Sequence, residues 1–276
     1  MSLKTKNFSN VTVSLIAIVM GFLWLYINAY GLMDTQVNYI YGLLLGVLPV
    51  TGALFGYFNS NRWGGLSSSL GRSIFFLSSG LLTWGVGTLV FAYYNIALQV
   101  AVPYPSIADL FYILSWPLWA FAMVNLSAAT GVKFALKDLS GKISLLVIPI
   151  FIALISYYLL IVIGRGGALD LTGGMVKVFF DLAYPIGDVV ILTIATLIYG
   201  LSLKFLGGMY KIPIVIILLG FSFNYFADFF FSFTTTNETY FVGNWVDLIF
   251  TAAMFLLSTG VSLMDPDRAT DKNHTN

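Results

Sequence analysis

The chain has 276 residues, of which 59% are apolar and 9% charged, and 13 basic residues against 12 acidic ones leave a net charge of +1. Soluble domains carry about 25% charged residues, so this chain lacks the side chains to cover a water-facing surface. That balance points to an integral membrane protein and excludes a nucleic-acid binder, a secreted disulfide scaffold and a disordered regulator. There is no cysteine, and the single histidine is His274, near the C-terminus. Disulfides, thiolate zinc, iron–sulfur clusters and histidine-held haem are thereby removed, and no cofactor is expected.

A helix crosses the hydrocarbon core with about 20 mostly apolar residues. Eight segments meet that requirement in chain order: Val11–Tyr30, Asn38–Phe58, Ser73–Asn95, Ile107–Ala129, Ile143–Ile163, Val178–Leu203, Ile212–Phe233 and Asn244–Met264. The fold class expected is therefore all-α, a polytopic membrane protein of eight transmembrane helices. Residues 1–264 are read as one such domain and 265–276 as a polar, disordered tail. The alternating strands of roughly ten residues that build a membrane barrel are not seen. The first span lacks a cleavage signature and reads as a retained helix rather than a signal peptide.

Basic residues in short connections set orientation. Lys4, Lys6, Arg62, Arg72, Lys133, Lys137, Lys142, Lys204, Lys211, Arg268 and Lys272 fall on one side, against Arg165 and Lys177 on the other. This bias predicts a cell-membrane protein with both termini cytoplasmic. The acids mostly go the other way: Asp34, Asp109, Asp170, Asp181, Asp188, Asp228, Glu238 and Asp247 fall in outer loops or outer halves of spans. They either fill the remaining polar positions or form an outward-facing anionic vestibule.

The outer connections repeat a shape. Tyr104-Pro105-Ser106-Ile107-Ala108-Asp109-Leu110, Tyr184-Pro185-Ile186-Gly187-Asp188-Val189 and Gly243-Asn244-Trp245-Val246-Asp247-Leu248 look alike as starts of even-numbered spans. Spans three and four also align with spans seven and eight, Gly80 with Gly220 and Asp109 with Asp247. Duplicated helical hairpins are the expected architecture. The runs Tyr-Pro-Ser-Ile-Ala-Asp-Leu-Phe-Tyr-Ile-Leu at 104–114 and Asp-Leu-Ala-Tyr-Pro-Ile-Gly-Asp at 181–188, followed by an Asp-bearing last hairpin, resemble the polytopic membrane-sensor regions that precede GGDEF and EAL signalling domains in bacteria. No GGDEF or EAL string occurs here, so cyclic-dinucleotide chemistry does not carry over. What the resemblance implies is a stand-alone, prokaryotic, receptor-like membrane module without an output domain.

Candidate site residues are the acids deepest in the spans and their polar neighbours. An ionisable group inside a span costs about 2.5–3.5 kcal/mol on insertion scales and so faces the bundle interior. Asp181, Tyr184 and Asp188 share one helix face by their i, i+3, i+7 spacing, and Asn224 and Asp228 share another. With span six starting near Asp181, Asp188 lies roughly 10 Å further along the helix. Pro185 and Gly187 are expected to loosen that start and free backbone groups. Asp109 and Asp247 are also candidates, although Ser106 with Asp109 and Asn244 with Asp247 fit helix-capping pairs. Converging acids would be neutralised by Lys177 or Arg165 folding in, by a bound hard cation or by protonation. The metal, if any, is left unknown. Gly42-x-x-x-Gly46 and Gly52-x-x-x-Gly56 mark close helix packing. Tyr26, Tyr30, Tyr39, Tyr41, Tyr93, Tyr94, Tyr157 and Tyr158 read as an interfacial aromatic belt.

No nucleophile–base arrangement is present, which argues against an enzyme. The function expected is a receptor-like or sensory multi-pass module that binds a small ligand or cation at an acidic outward pocket and acts through a partner protein. The alternatives are an ion- or proton-coupled transporter or channel, or an accessory subunit of a membrane complex. The lipid bilayer is the one sure partner.

Overall fold

A computed structural model describes residues 3–130, 132–167, 174–202 and 211–267. Helices follow the apolar runs: α1 Leu3–Tyr30, α2 Gln36–Arg62, α3 Ser69–Tyr93, α4 Ile107–Ala129, a short α5 Val132–Ala135, α6 Leu139–Ser156, α7 Met175–Ser202, α8 Lys211–Thr236 and α9 Trp245–Leu263. Among the described residues there is no strand, and eight helices are long and apolar enough to cross a membrane. The protein is an all-α polytopic membrane protein. Two helices continue in a wider, π-helical winding, α3 through Tyr94–Leu98 and α6 through Tyr157–Ile163.

Six of the long helices close a ring. α2 packs on α3, α3 on α4, α4 on α7, α7 on α8, α8 on α9, and α9 returns to α2. α1 lies outside against α2 and α9, while α6 lies outside against α7. The outward faces of these two helices are apolar and exposed: Leu15, Phe22 and Leu25 on α1, and Leu146, Phe151 and Leu154 on α6. Such continuous apolar surface suits lipid.

One half of the ring is solid. Leu77, Leu81, Trp119, Met123, Phe221, Met254 and Leu257 are fully buried there. The Trp119 ring meets Phe221 edge-on at 5.4 Å, and its indole N–H donates to the Leu77 carbonyl at 3.3 Å. The glycines expected to mediate packing do so inside the monomer. A Cβ on Gly52 would fall 2.4 Å from Ser258 Cβ, and one on Gly56 would fall 2.0 Å from Ser78 Oγ. Only hydrogen at these positions lets α2 approach α9 and α3. Gly80 and Gly220 play matching parts in their hairpins, against Trp119 and Leu257.

The two ends of the bundle differ. The end carrying the α2–α3 turn is tied by Arg62, which forms ion pairs with Asp265 and Asp267, and by the Trp63 indole, which donates to the Met264 carbonyl at 2.9 Å. The start of the expected tail is thus docked on α2. Residues 268–276 lie outside the described residues, as do Asp170 and Lys204.

Three sequence expectations change. α7 begins at Met175, so Asp181 is already two turns inside the helix and Asp188 stands at its midpoint. Tyr184-Pro185 is therefore not a helix start, unlike its counterparts at 104–109 and 243–247. Proline is favoured in a first turn because it lacks an N–H and leaves the carbonyl four residues back unpaired. Here that carbonyl belongs to Asp181, and the Arg165 guanidinium donates to it at 2.8 Å, so the helix continues upstream of the proline. Gly187 does not loosen α7. A Cβ there would lie 2.6 Å from the Trp116 ring, so the glycine lets α4 and α7 pack face to face. Tyr41 is not a belt residue: it is fully buried, with its hydroxyl 2.6 Å from Thr251 Oγ1. Tyr26, Tyr30, Tyr93, Tyr157 and Tyr158 are more than half exposed, as a belt requires.

Candidate functional site

The other half of the ring is hollow. A cavity of about 1230 Å³ opens between the α1–α2, α3–α4 and α8–α9 connections, and each of the six ring helices contributes a stripe of side chains to it. The stripes follow helical spacing: Trp84, Thr88, Phe91 and Asn95 on α3; Asp109, Tyr112 and Trp116 on α4; Lys177, Asp181, Tyr184 and Asp188 on α7. Asp228 and Phe231 on α8, and Asp247 and Phe250 on α9, complete the wall. The floor is aromatic. Trp84 packs against Tyr112 at 5.6 Å and Phe250 at 5.7 Å, and Trp116 against Trp119 at 6.0 Å.

Of the seven residues singled out from sequence, Asp109, Asp181, Tyr184, Asp188, Asp228 and Asp247 line this single cavity. Asn224 stands behind the wall, and its amide N–H donates to Asp228 Oδ2 at 2.7 Å. Within the cavity the acids fall into separate stations, each bonded differently.

Asp109 and Asp247 serve helix ends and the cavity together. One oxygen of Asp109 takes the Ser106 backbone N–H at 2.7 Å and the Ser106 hydroxyl at 2.9 Å, closing a capping box, while the other takes the Tyr184 hydroxyl at 2.8 Å. Asp247 Oδ2 accepts from the Gly243 N–H at 2.7 Å and Oδ1 from the Tyr240 hydroxyl at 3.0 Å. Asn244 caps α9 through Val246 N at 2.9 Å. Capping and lining of the cavity hold for the same carboxylates.

Asp181 is the neutralised acid. Lys177 Nζ lies 3.0 Å from Oδ2 and Arg165 Nη1 lies 3.7 Å from Oδ1, while the Tyr104 hydroxyl donates to Oδ1 at 2.8 Å. Tyr104 from the α3–α4 connection thus reaches Asp181 on α7, and Tyr184 on α7 reaches Asp109 on α4. The two copies of the Tyr-Pro motif exchange tyrosines and latch α4 to α7. Burial and nearby carboxylates push the Tyr104 and Tyr240 phenols up from their ordinary range, so both remain donors.

Asp188 and Asp228 form the deepest station. Their carboxyl groups face one another within hydrogen-bonding reach across the α7–α8 contact. Asp188 is 2% exposed, and its Oδ1 has no partner; Asn224 is equally buried, and its Oδ1 has none either. The Trp116 indole N–H, on the same floor, is also unpartnered. Among the described residues no group of three or more acids and histidines is arranged to hold a metal ion.

Tyr240, Tyr112, Trp84 and Trp116 were not read as site residues from sequence. Trp and Tyr in a chain this apolar carry no signal separating cavity wall from core or belt. Tyr104 had one, its place in the repeated motif. Comparison of the chain with protein-family models, curated proteins and solved structures returned no match.

Proposed function

We propose that this protein is a receptor-like membrane module that binds a small, positively charged organic ligand in the anionic cavity and signals through a partner protein. The observation that carries this reading is the charge inventory of the cavity among the described residues: six aspartates, Asp34 included, against two basic groups, Arg165 and Lys177, both of which sit at Asp181. Carboxylates among aromatic faces recognise ammonium groups, by Coulomb attraction and by cation–π contact. The volume exceeds the roughly 300–1,000 Å³ of ordinary ligand pockets, so a small molecule and its water are accommodated. The solid aromatic floor favours a binding pocket over an open channel. The resemblance to sensor regions and the basic-residue bias support an outward-facing cavity in the cell membrane, with cytoplasmic termini positioned for a partner.

The test is a panel of amines of increasing size, applied to the purified protein in nanodiscs and read by isothermal titration. Binding of an amine, weakened about tenfold or more by Asp228→Asn, is the expected result. Binding restricted to uncharged or anionic compounds overturns the reading. A transporter is the second reading, favoured by the pairing of Asp188, at the midpoint of α7, with Asp228 on α8. Substrate flux into proteoliposomes that Asp188→Asn abolishes would favour it.

A further inference from the structure

We propose that the cavity floor at Asp188 and Asp228, with Asn224 behind Asp228, binds one alkali-metal cation, sodium by preference, beneath the space available to an organic ligand. This deepens the reading of the cavity as cation-binding by assigning an inorganic co-ligand to its base. Three observations meet there. The first is an excess of acceptors. Asp188 Oδ1 and Asn224 Oδ1 are both buried without a partner, and the Asn224 N–H in reach is already given to Asp228. Buried acceptors left unmade are costly, and the Trp116 indole N–H, the unpartnered donor on the same floor, offers one hydrogen against these two oxygens, so a cation can serve the remainder.

The second is charge. Asp109 and Asp247 sit at helix N-termini, whose dipoles and N–H groups offset them. Around the floor, Asp181, Asp188 and Asp228 face Arg165 and Lys177. Among the described residues that is an excess of one negative charge, and because both basic groups pair with Asp181 the two touching carboxyls have no cation of their own. Water would satisfy the hydrogen bonds but not that charge. The third is donor chemistry. Carboxylate and amide oxygens are hard ligands that suit alkali and alkaline-earth ions. Calcium takes six to eight oxygens and is favoured by more carboxylates than two. With no third acid at this station, a monovalent ion matches both donor set and residual charge.

The experiment uses the full chain in nanodiscs with no amine present. Retained radioactive sodium and the melting temperature are measured in sodium and in caesium chloride at equal ionic strength. One sodium per chain is expected, with a saturable rise in melting temperature of a few degrees over caesium. Asp188→Asn and Asn224→Ala should each weaken sodium binding about tenfold or more, whereas Glu238→Gln, in the α8–α9 connection and outside the cavity lining, should leave it unchanged. The sodium stoichiometry of the unaltered protein stands even if a variant fails to fold. Equal melting temperatures with no retained sodium would assign the pair to a shared proton and overturn the proposal. So would sodium retained equally by the floor variants, or calcium bound in its place. Amine binding without a sodium response leaves the ligand reading intact, and a sodium response without amine binding leaves this one intact.

Discussion

Single residues in this protein do two tasks at once, because so few polar groups are present. Arg165 both offsets Asp181 and occupies the carbonyl that Pro185 leaves open. Replacing it by methionine removes both contacts, and a cost of about 1–3 kcal/mol is expected from the unsatisfied carbonyl alone. Pro185→Ala restores an N–H to that carbonyl. The double variant should therefore melt above Arg165→Met, while Pro185→Ala alone should change little. Thermal unfolding of the four proteins in one detergent checks this, and additive effects would refute the shared carbonyl. The tyrosine latch behaves alike. Tyr184→Phe leaves Asp109 Oδ1 without its donor, so Tyr184→Phe and Asp109→Asn should be strongly non-additive in a double-mutant cycle. Tyr240→Phe, which serves Asp247 instead, should add independently to either.

At the scale of the helix, close approach decides the contacts. α7 meets α4 where Gly187 lies under the Trp116 ring, and α2 meets α9 where Gly52 lies under Ser258. Gly187→Val should destabilise by about 1–3 kcal/mol through overpacking, with partial recovery when Trp116 is shortened to leucine. The recovery is the informative part, since propensity alone would not supply it. Helix existence was legible in the apolar runs, and the capping pairs at Ser106 and Asn244 located two helix starts correctly. The span Val178–Leu203 placed the start of α7 within three residues, but the depth of Asp181 and of Tyr184-Pro185 inside it was not legible from the motif. Its first two turns carry two charged residues, Lys177 and Asp181, in an otherwise apolar stretch, and they pair with each other and with Arg165. That Lys177 or Arg165 could fold in on the acids was legible as one of three outcomes; that both settle on Asp181 was not.

For the molecule as a whole, six helices enclose a cavity at one end and a solid core at the other, with α1 and α6 riding outside. The orientation of this asymmetric body in the membrane can be mapped directly, because the native chain offers no thiol. Single cysteines at Ser2 and at Glu238, in the α8–α9 connection, should react with a membrane-impermeant maleimide from opposite sides of intact cells, Glu238→Cys from outside. Labelling of both from one side would break the eight-span topology, and outside labelling at Ser2 alone would reverse it. The same preparation tests whether the cavity admits solute: a cysteine at Thr235, on its wall, should label more slowly once a bound amine fills the space.

Composition and run length alone determined the all-α membrane fold and its eight helices long and apolar enough to cross a bilayer. These depend on partition between water and lipid, which each segment undergoes largely on its own. The i, i+3, i+7 and i, i+4 spacings likewise determined which acids share a helix face. Only the tertiary structure decided that faces from six helices converge, that Tyr104 and Tyr184 cross over to each other's motif, and that Asp181 is neutralised while Asp188 and Asp228 are left facing one another. Those outcomes turn on rotation and depth of one helix against the next. In a nearly uniform apolar chain, such settings are fixed by packing contacts among residues far apart in sequence, not by any pattern along it.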